Sequence, residues 1–136
     1  MSKAADRAWN ALVAAVMDTR GDWRRRVTEA TGLSFGRVRA LKRLAEKPLT
    51  LSELAASMGV DAPAATVAVN ALEKRGLVVR TPHPTSGRIK LVSLTAAGRA
   101  MLAKVKAVVE QAPEGFKDLS AKELGAIEKA VLALKG

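Results

Sequence analysis

The stretch that decides the fold runs from Pro48 to Gly98 and reads PLTLSELAASMGVDAPAATVAVNALEKRGLVVRTPHPTSGRIKLVSLTAAG. Thr50-Leu-Ser-Glu53 within it is a capping box, in which the Thr hydroxyl accepts from the Glu53 amide while the carboxylate takes the Thr50 amide. A helix therefore begins there, with Leu51, Leu54, Ala55 and Met58 on its apolar side. Gly59 stops it by taking the left-handed conformation of the turn. Asp61 caps the next helix, Pro63 is tolerated in its first turn, and Ala65, Ala68, Val69 and Leu72 form its inner face up to Gly76. Two β-rich segments follow, 77–81 and 88–94, around Pro82-His-Pro-Thr-Ser-Gly87. They predict an antiparallel hairpin with a tip of six or seven residues. A helix, a short Gly-containing turn, a helix and then a hairpin is the order of the winged helix-turn-helix. Small Ala55 and Gly59 suit the close helix crossing, and Leu54, Val60, Ala65 and Leu72 supply a core beneath it.

Outward from this lobe the chain is helical. Ala4, Ala8, Trp9, Leu12, Val13, Val16 and Met17 recur at three- and four-residue spacing, and Trp23 and Val27 continue the stripe beyond Gly21. This predicts one long helix, or two with a kink, ended by Gly32. Ser34 caps a second helix that buries Phe35, Val38, Leu41, Leu44 and Ala45, and Pro48 closes it. After the hairpin, Thr95 caps a helix from Ala96 to about Gln111 with Met101, Leu102, Val105, Val108 and Val109 apolar. Ala112-Pro-Glu-Gly115 breaks it, and Ser120 with Glu123 starts a last helix carrying Leu124, Ile127, Ala130, Val131 and Leu134. The expected class is mainly α (α+β), with a winged lobe over residues 33–95 and a helical dimerisation region over 1–32 and 96–136. The last helix and Val105, Val108 and Val109 have no lobe of their own to cover. Pairing with a twofold mate would bury them and set two hairpin lobes about 34–36 Å apart, one DNA turn.

Composition narrows the function. The chain has 136 residues, 23 Lys plus Arg against 13 Asp plus Glu, and a net charge of +10. Without cysteine there is no disulfide, thiolate nucleophile or Cys-type zinc site, and the single histidine, His83, makes no multi-His metal site. No triad, metal cluster or phosphate loop is present, so neither an enzyme nor a cofactor is expected. The longest apolar run, Ala11 to Met17, is far too short to cross a bilayer. No signal peptide follows the charge-balanced N-terminus, and a cytoplasmic location is expected. The excess charge is local: residues 20–47 contribute +6 and residues 73–106 contribute +7. Two basic stretches flanking a neutral one suit a polyanion-binding surface beside a separate assembly region, and they also suit ordinary solvated helix faces.

The residues from Leu49 to Thr95, with the run Leu72-Glu-Lys-Arg-Gly-Leu-Val-Val-Arg80 and the run Leu91-Val-Ser-Leu-Thr-Ala-Ala-Gly98, resemble the MarR family of winged helix-turn-helix transcription regulators. The flanking helices fit it as well. The resemblance implies a homodimer joined by the first and last helices that binds a pseudo-palindromic duplex operator. It also implies a repressor, often released by a small phenolic or anionic effector. The family's wing carries an Asp followed by two Arg at its tip, where this chain has Ser86, Gly87 and Arg88. Only the second Arg remains. In the family that Arg enters the minor groove, which makes Arg88 the strongest expected contact, with Ser86 beside it at the tip as a further DNA contact and Lys90 along the same strand holding a phosphate.

The helix expected in the major groove presents Ala62, Pro63, Ala64, Thr66, Val67, Asn70 and Ala71 outward, with Lys74 further along. It carries no Arg before Arg75. Asn70 could pair with adenine, Thr66 meet a base edge or phosphate, and Val67, Ala64 or Ala62 meet thymine methyls. Sparse direct readout puts weight on groove shape and phosphate attraction. The same Ala-rich face could instead pack against another helix, or serve an architectural DNA-binding protein of low specificity. Thr50 and Ser52 stand at a helix N-terminus that favours a phosphate oxygen. Arg37, Arg39, Lys42 and Arg43 are further phosphate candidates. An effector pocket for a planar anion is expected where the first helix meets the DNA-binding lobe, from Trp9, Val13, Met17, Arg20, Trp23 and Arg24, with Arg20, Arg24, Arg25 or Arg26 as the carboxylate partner, although tryptophans on such a stripe commonly serve as core. His83, between two prolines, reads as an exposed loop residue.

Overall fold

A computed structural model describes residues 2–134, so residues 1, 135 and 136, the outer limits of the expected dimerisation region, lie outside it. The described residues form helices α1 (Lys3–Thr31), α2 (Phe35–Glu46), α3 (Leu51–Met58), α4 (Ala62–Lys74), α5 (Ala96–Val109) and α6 (Ala121–Ala133). Strands β1 (Leu49–Thr50), β2 (Val78–Pro82) and β3 (Lys90–Leu94) make one antiparallel sheet in the order β1-β3-β2. This is the mainly helical winged helix-turn-helix read from the sequence.

α1 runs unbroken through Gly21 as a single helix of 29 residues. One interior glycine costs only about 1 kcal/mol relative to alanine, which a long helix tolerates without kinking. It stops at Gly32, whose φ is 69°. Just before, the buried Thr31 donates its hydroxyl to the Val27 carbonyl (2.7 Å) and accepts from the Leu33 amide (3.1 Å).

Residues 24–109 form one compact unit. Its core is built from Val27, Leu33, Val38, Leu41, Leu44, Leu54, Leu72, Val92 and Val105, all 2% exposed or less. Val27 and Val105 belong to segments assigned above to dimerisation, so those segments also serve the lobe. The predicted face of α2 is shifted: Ala45 is exposed and Ala40 is fully buried. Phe35 is only half-buried, with the Arg24 guanidinium 4.5 Å above its ring.

Strand β1 was invisible in the sequence because two residues cannot show alternation. It pairs Leu49 with Val92 and Thr50 with Leu91. β2 pairs with β3 in the register Val78–Leu94, Arg80–Val92 and Pro82–Lys90. β3 begins at Lys90, two residues later than expected. Residues 86–89 turn instead, with the Ile89 amide on the Ser86 carbonyl (3.2 Å) and the His83 amide on the Ile89 carbonyl (2.8 Å). Arg88 therefore sits in the turn, not along the strand that holds Lys90.

Thr95 ties α5 to the lobe. Its hydroxyl donates to the Gly76 carbonyl (2.6 Å) and accepts from the Gly98 amide (3.1 Å), confirming it as a cap. Gly98 lies so close to the chain at Leu77 that a Cβ there would overlap the Leu77 carbonyl oxygen. α5 ends at Val109 rather than Gln111.

Among the described residues, 2–23 and 110–134 form the second unit. It holds the first part of α1, a 3-10 turn at Glu114–Asp118 where only a break was predicted, and α6. In the single chain, Trp9 is 61% exposed and Met17 54%, and Leu124, Ile127, Val131 and Leu132 on α6 are exposed too.

Both predicted capping boxes are present. Glu53 and Glu123 each accept a backbone amide at 2.9 Å, from Thr50 and Ser120 respectively. Those amide bonds, followed by the side-chain bonds to the same residues, hold both carboxyls below their ordinary value of 4.5. A depressed carboxyl contributes stability above its unfolded value and loses it as pH falls through the folded one. Melting temperature should therefore fall on acidification below about pH 4.5, and less steeply in the double variant Glu53→Ala/Glu123→Ala. Circular dichroism melts check this. Equal acid sensitivity in the two proteins would remove the assignment.

Candidate nucleic-acid interface

The helix pair is held by backbone and by one long side chain. Gly59, with φ 67°, places its own amide on Ala56 and the Val60 amide on Ala55. Asp61 caps α4 by accepting from the Ala64 amide (2.8 Å). Arg39, considered above as a phosphate ligand, donates to the Met58 carbonyl at 2.9 Å. It thus fastens α2 to the end of α3 and acts as a positioning residue for the turn.

α4 divides as its periodicity demands. Ala65, Val69 and Leu72 face the core, while Ala62, Pro63, Ala64, Val67, Asn70 and Lys74 are exposed. Thr66, Ala68 and Ala71 lie between the two faces. Val67, at 62% exposure, is the most open large apolar side chain of α4.

Beside this helix the chain folds three distant segments into one open cleft of about 360 Å³. It is lined by Thr50, Leu51 and Ser52 at the start of α3, by Arg80 of β2, and by Arg88, Ile89 and Lys90 at the end of the hairpin. Four predicted contacts, Thr50, Ser52, Arg88 and Lys90, are thereby gathered. Ser86 is outside this lining and half-buried, its carbonyl engaged in the tip. The Thr50 hydroxyl already accepts from the Glu53 amide (3.1 Å), so an added phosphate would meet it chiefly as a donor. His83 is half-buried rather than exposed, its Nδ1 accepting from the Thr85 amide at 3.1 Å.

Arg80 was overlooked in the sequence. Its guanidinium reaches two residues of α4, with one terminal nitrogen 2.7 Å from Glu73 Oε1 and the other 2.7 Å from Asn70 Oδ1. Strand alternation was the available signal: Arg80 falls two residues after the buried Val78 and opposite the buried Val92, so it points inward and needs a partner.

The expected effector residues share α1 without being enclosed together. Trp9, Val13 and Met17 line an open apolar strip with Leu12 and Val16. Arg20 is exposed with a terminal nitrogen 3.9 Å from Met17 Sδ, Trp23 is half-buried, and Arg24 lies on Phe35. Among the described residues there is no acid or histidine cluster fit for a metal, and no helix long and apolar enough to cross a membrane.

The sequence profile of the MarR family matches residues 31–89. A protein assigned to transcriptional regulation of the hcr operon in Thauera aromatica is 33% identical over 93 residues. That match takes in 68% of this chain but only 56% of the relative, so the chain spans little more than half of that protein's length. Among solved structures, the transcriptional regulator BldR of Sulfolobus solfataricus is 28% identical, with a TM-score of 0.64 over 98% of this chain and 99% of that one. Wild-type MarR of E. coli is 25% identical, with a TM-score of 0.64 over 90% and 96%. A variant of MepR from S. aureus, solved bound to an oligodeoxyribonucleotide, shares the fold at a TM-score of 0.76 and 15% identity over 93% and 94%.

Proposed function

We propose that this chain, which matches the MarR family of transcription regulators over residues 31–89, is a dimeric repressor gripping a pseudo-palindromic duplex operator in the cytoplasm. The observation that carries the grip is the cationic cleft. Arg88 and Lys90 converge there on the α3 N-terminus, beside Arg80, whose guanidinium is engaged by Glu73 and Asn70, so that the exposed face of α4 stands next to the strand that carries Arg80. In this reading α4 enters the major groove with Ala62, Pro63, Ala64, Thr66, Val67, Asn70 and Lys74. Arg88 reaches the minor groove, and Thr50, Ser52 and Lys90 hold phosphates.

Dimerisation is supported by the apolar side chains that α1 and α6 leave exposed in the single chain. A twofold mate would cover them, and residues 1–32 and 96–136 would then act as the dimerisation region around the winged lobe of residues 33–95. We further propose that a small anionic or phenolic effector, held along α1 by residues among Trp9, Val13, Met17, Arg20, Trp23 and Arg24, releases the operator.

Footprinting on the DNA upstream of the chain's own coding region tests the reading. Two protected half-sites about one helical turn apart are expected, with Arg88→Ala weakening protection about tenfold. A folded protein that protects nothing would overturn it. A second reading, an architectural protein of low specificity, is favoured by the small apolar outer residues of α4. It would be preferred if operator binding exceeded bulk-DNA binding by less than about 10³.

A further inference from the structure

We propose that Arg80 is a specificity-determining residue: by taking the carbonyl oxygen of Asn70, it leaves Asn70 to read a base that offers an acceptor and to reject cytosine. The inference rests on the DNA-binding reading above. A guanidinium carries donors and no acceptor, so the atom of the Asn70 amide that faces it at 2.7 Å is fixed as the oxygen. The second arm of the fork, on Glu73 at 2.7 Å, anchors Arg80 so that it does not follow Asn70 outward. Only 22% of the Arg80 side chain is exposed, against 41% of Glu73.

An unconstrained asparagine pairs with adenine in two places, accepting from N6 and donating to N7. In the proposed geometry Arg80 takes one lone pair of Oδ1 and holds the carbonyl toward the wing strand, so that the second lone pair is turned from the groove and the two hydrogens of Nδ2 face it. In the major groove these suit guanine O6 and N7, adenine N7 or thymine O4. Cytosine shows only its N4 amine, a donor facing a donor. Arg80 thus converts Asn70 from an adenine reader into a sensor of acceptors, with guanine, which offers two, the best match. It does so from a wing strand that need not touch the base.

The test is selection of binding sites from random duplexes by the wild type, Asn70→Asp and Arg80→Met, each first checked for a cooperative melt. The wild type should disfavour cytosine about five- to tenfold at one position of each half-site. Asn70→Asp keeps the Arg80 bridge and removes the donors, so its free oxygen should accept from N4 and turn the preference towards cytosine. Arg80→Met frees Oδ1 and should move the preference towards adenine. If Arg80→Met does not fold, Arg80→Lys, which keeps the charge but loses the second arm of the fork, takes its place and should likewise move the preference towards adenine. Identical preferences in all folded proteins would overturn the inference. So would uniform weakening of Arg80→Met with a salt slope lower by about one, which would make Arg80 a phosphate contact. Failure of the folded wild type to bind any duplex would instead remove the DNA-binding reading on which the inference stands.

Discussion

Raising the salt from about 50 to about 200 mM should weaken operator binding roughly a thousandfold. Each cation that neutralises a DNA phosphate releases a condensed counterion, and the logarithm of affinity falls by about 0.9 per contact for each tenfold rise in salt. Arg88, Lys90 and Lys74 are exposed and project from the wing or from α4. With three contacts from each of two protomers the slope comes to roughly −5. The outer face of α4 offers no arginine before Arg75, so few base contacts survive the loss of this attraction. Fluorescence anisotropy of a labelled duplex across a salt series gives the slope. A value near zero would mean that the cleft does not hold phosphates.

The second large effect concerns the lobe itself. Gly98→Ala should destabilise the protein by about 3 kcal/mol or more, lowering the melting temperature by roughly 10 °C. In an open helix this substitution stabilises, because alanine favours the helical backbone by about 1 kcal/mol. At Gly98 the new methyl would overlap the Leu77 carbonyl oxygen and stand 3.2 Å from both the Leu77 carbonyl carbon and Leu94 Cδ2. Backbone cannot rotate away as a side chain can, so α5 would have to lift from the strands beneath it. Gly36→Ala in α2 is the control, since nothing lies within 4 Å of its added methyl and α2 belongs to the lobe rather than to the proposed dimer region, and it should leave stability unchanged or slightly raised. Thermal melts of the two variants side by side would separate a packing demand at Gly98 from a general intolerance of helix change. Equal melting temperatures would refute the close approach.

Local chemistry explains what could be read from the sequence alone. The capping boxes at Thr50 and Ser120, the left-handed turns at Gly32, Gly59 and Gly76, and the helix pair itself are all encoded within a few residues, and all are present. What escaped detection depends on partners distant in sequence. Strand β1 exists only because Leu49 finds Val92. Gly98 looks like an ordinary helix residue until Leu77 is brought against it. Arg80 reads as one more surface cation, yet its guanidinium spans seven to ten residues back to Glu73 and Asn70. The placement of Arg88 failed for a related reason: a β-rich run suggests a strand but does not say where the tip closes. Here the tip closes on the carbonyls of Ser86 and Ile89.

Thr50 is at once the last residue of β1, opposite Leu91, and the residue that opens α3. With no spacer between them, one inserted residue would swing every later side chain of α3 by about 100° around its axis. The loop of residues 83–89, outside both strands, has no such constraint and can lengthen without disturbing either helix. Among descendants of this chain, length drift should therefore accumulate in the finger and be purged at the joint.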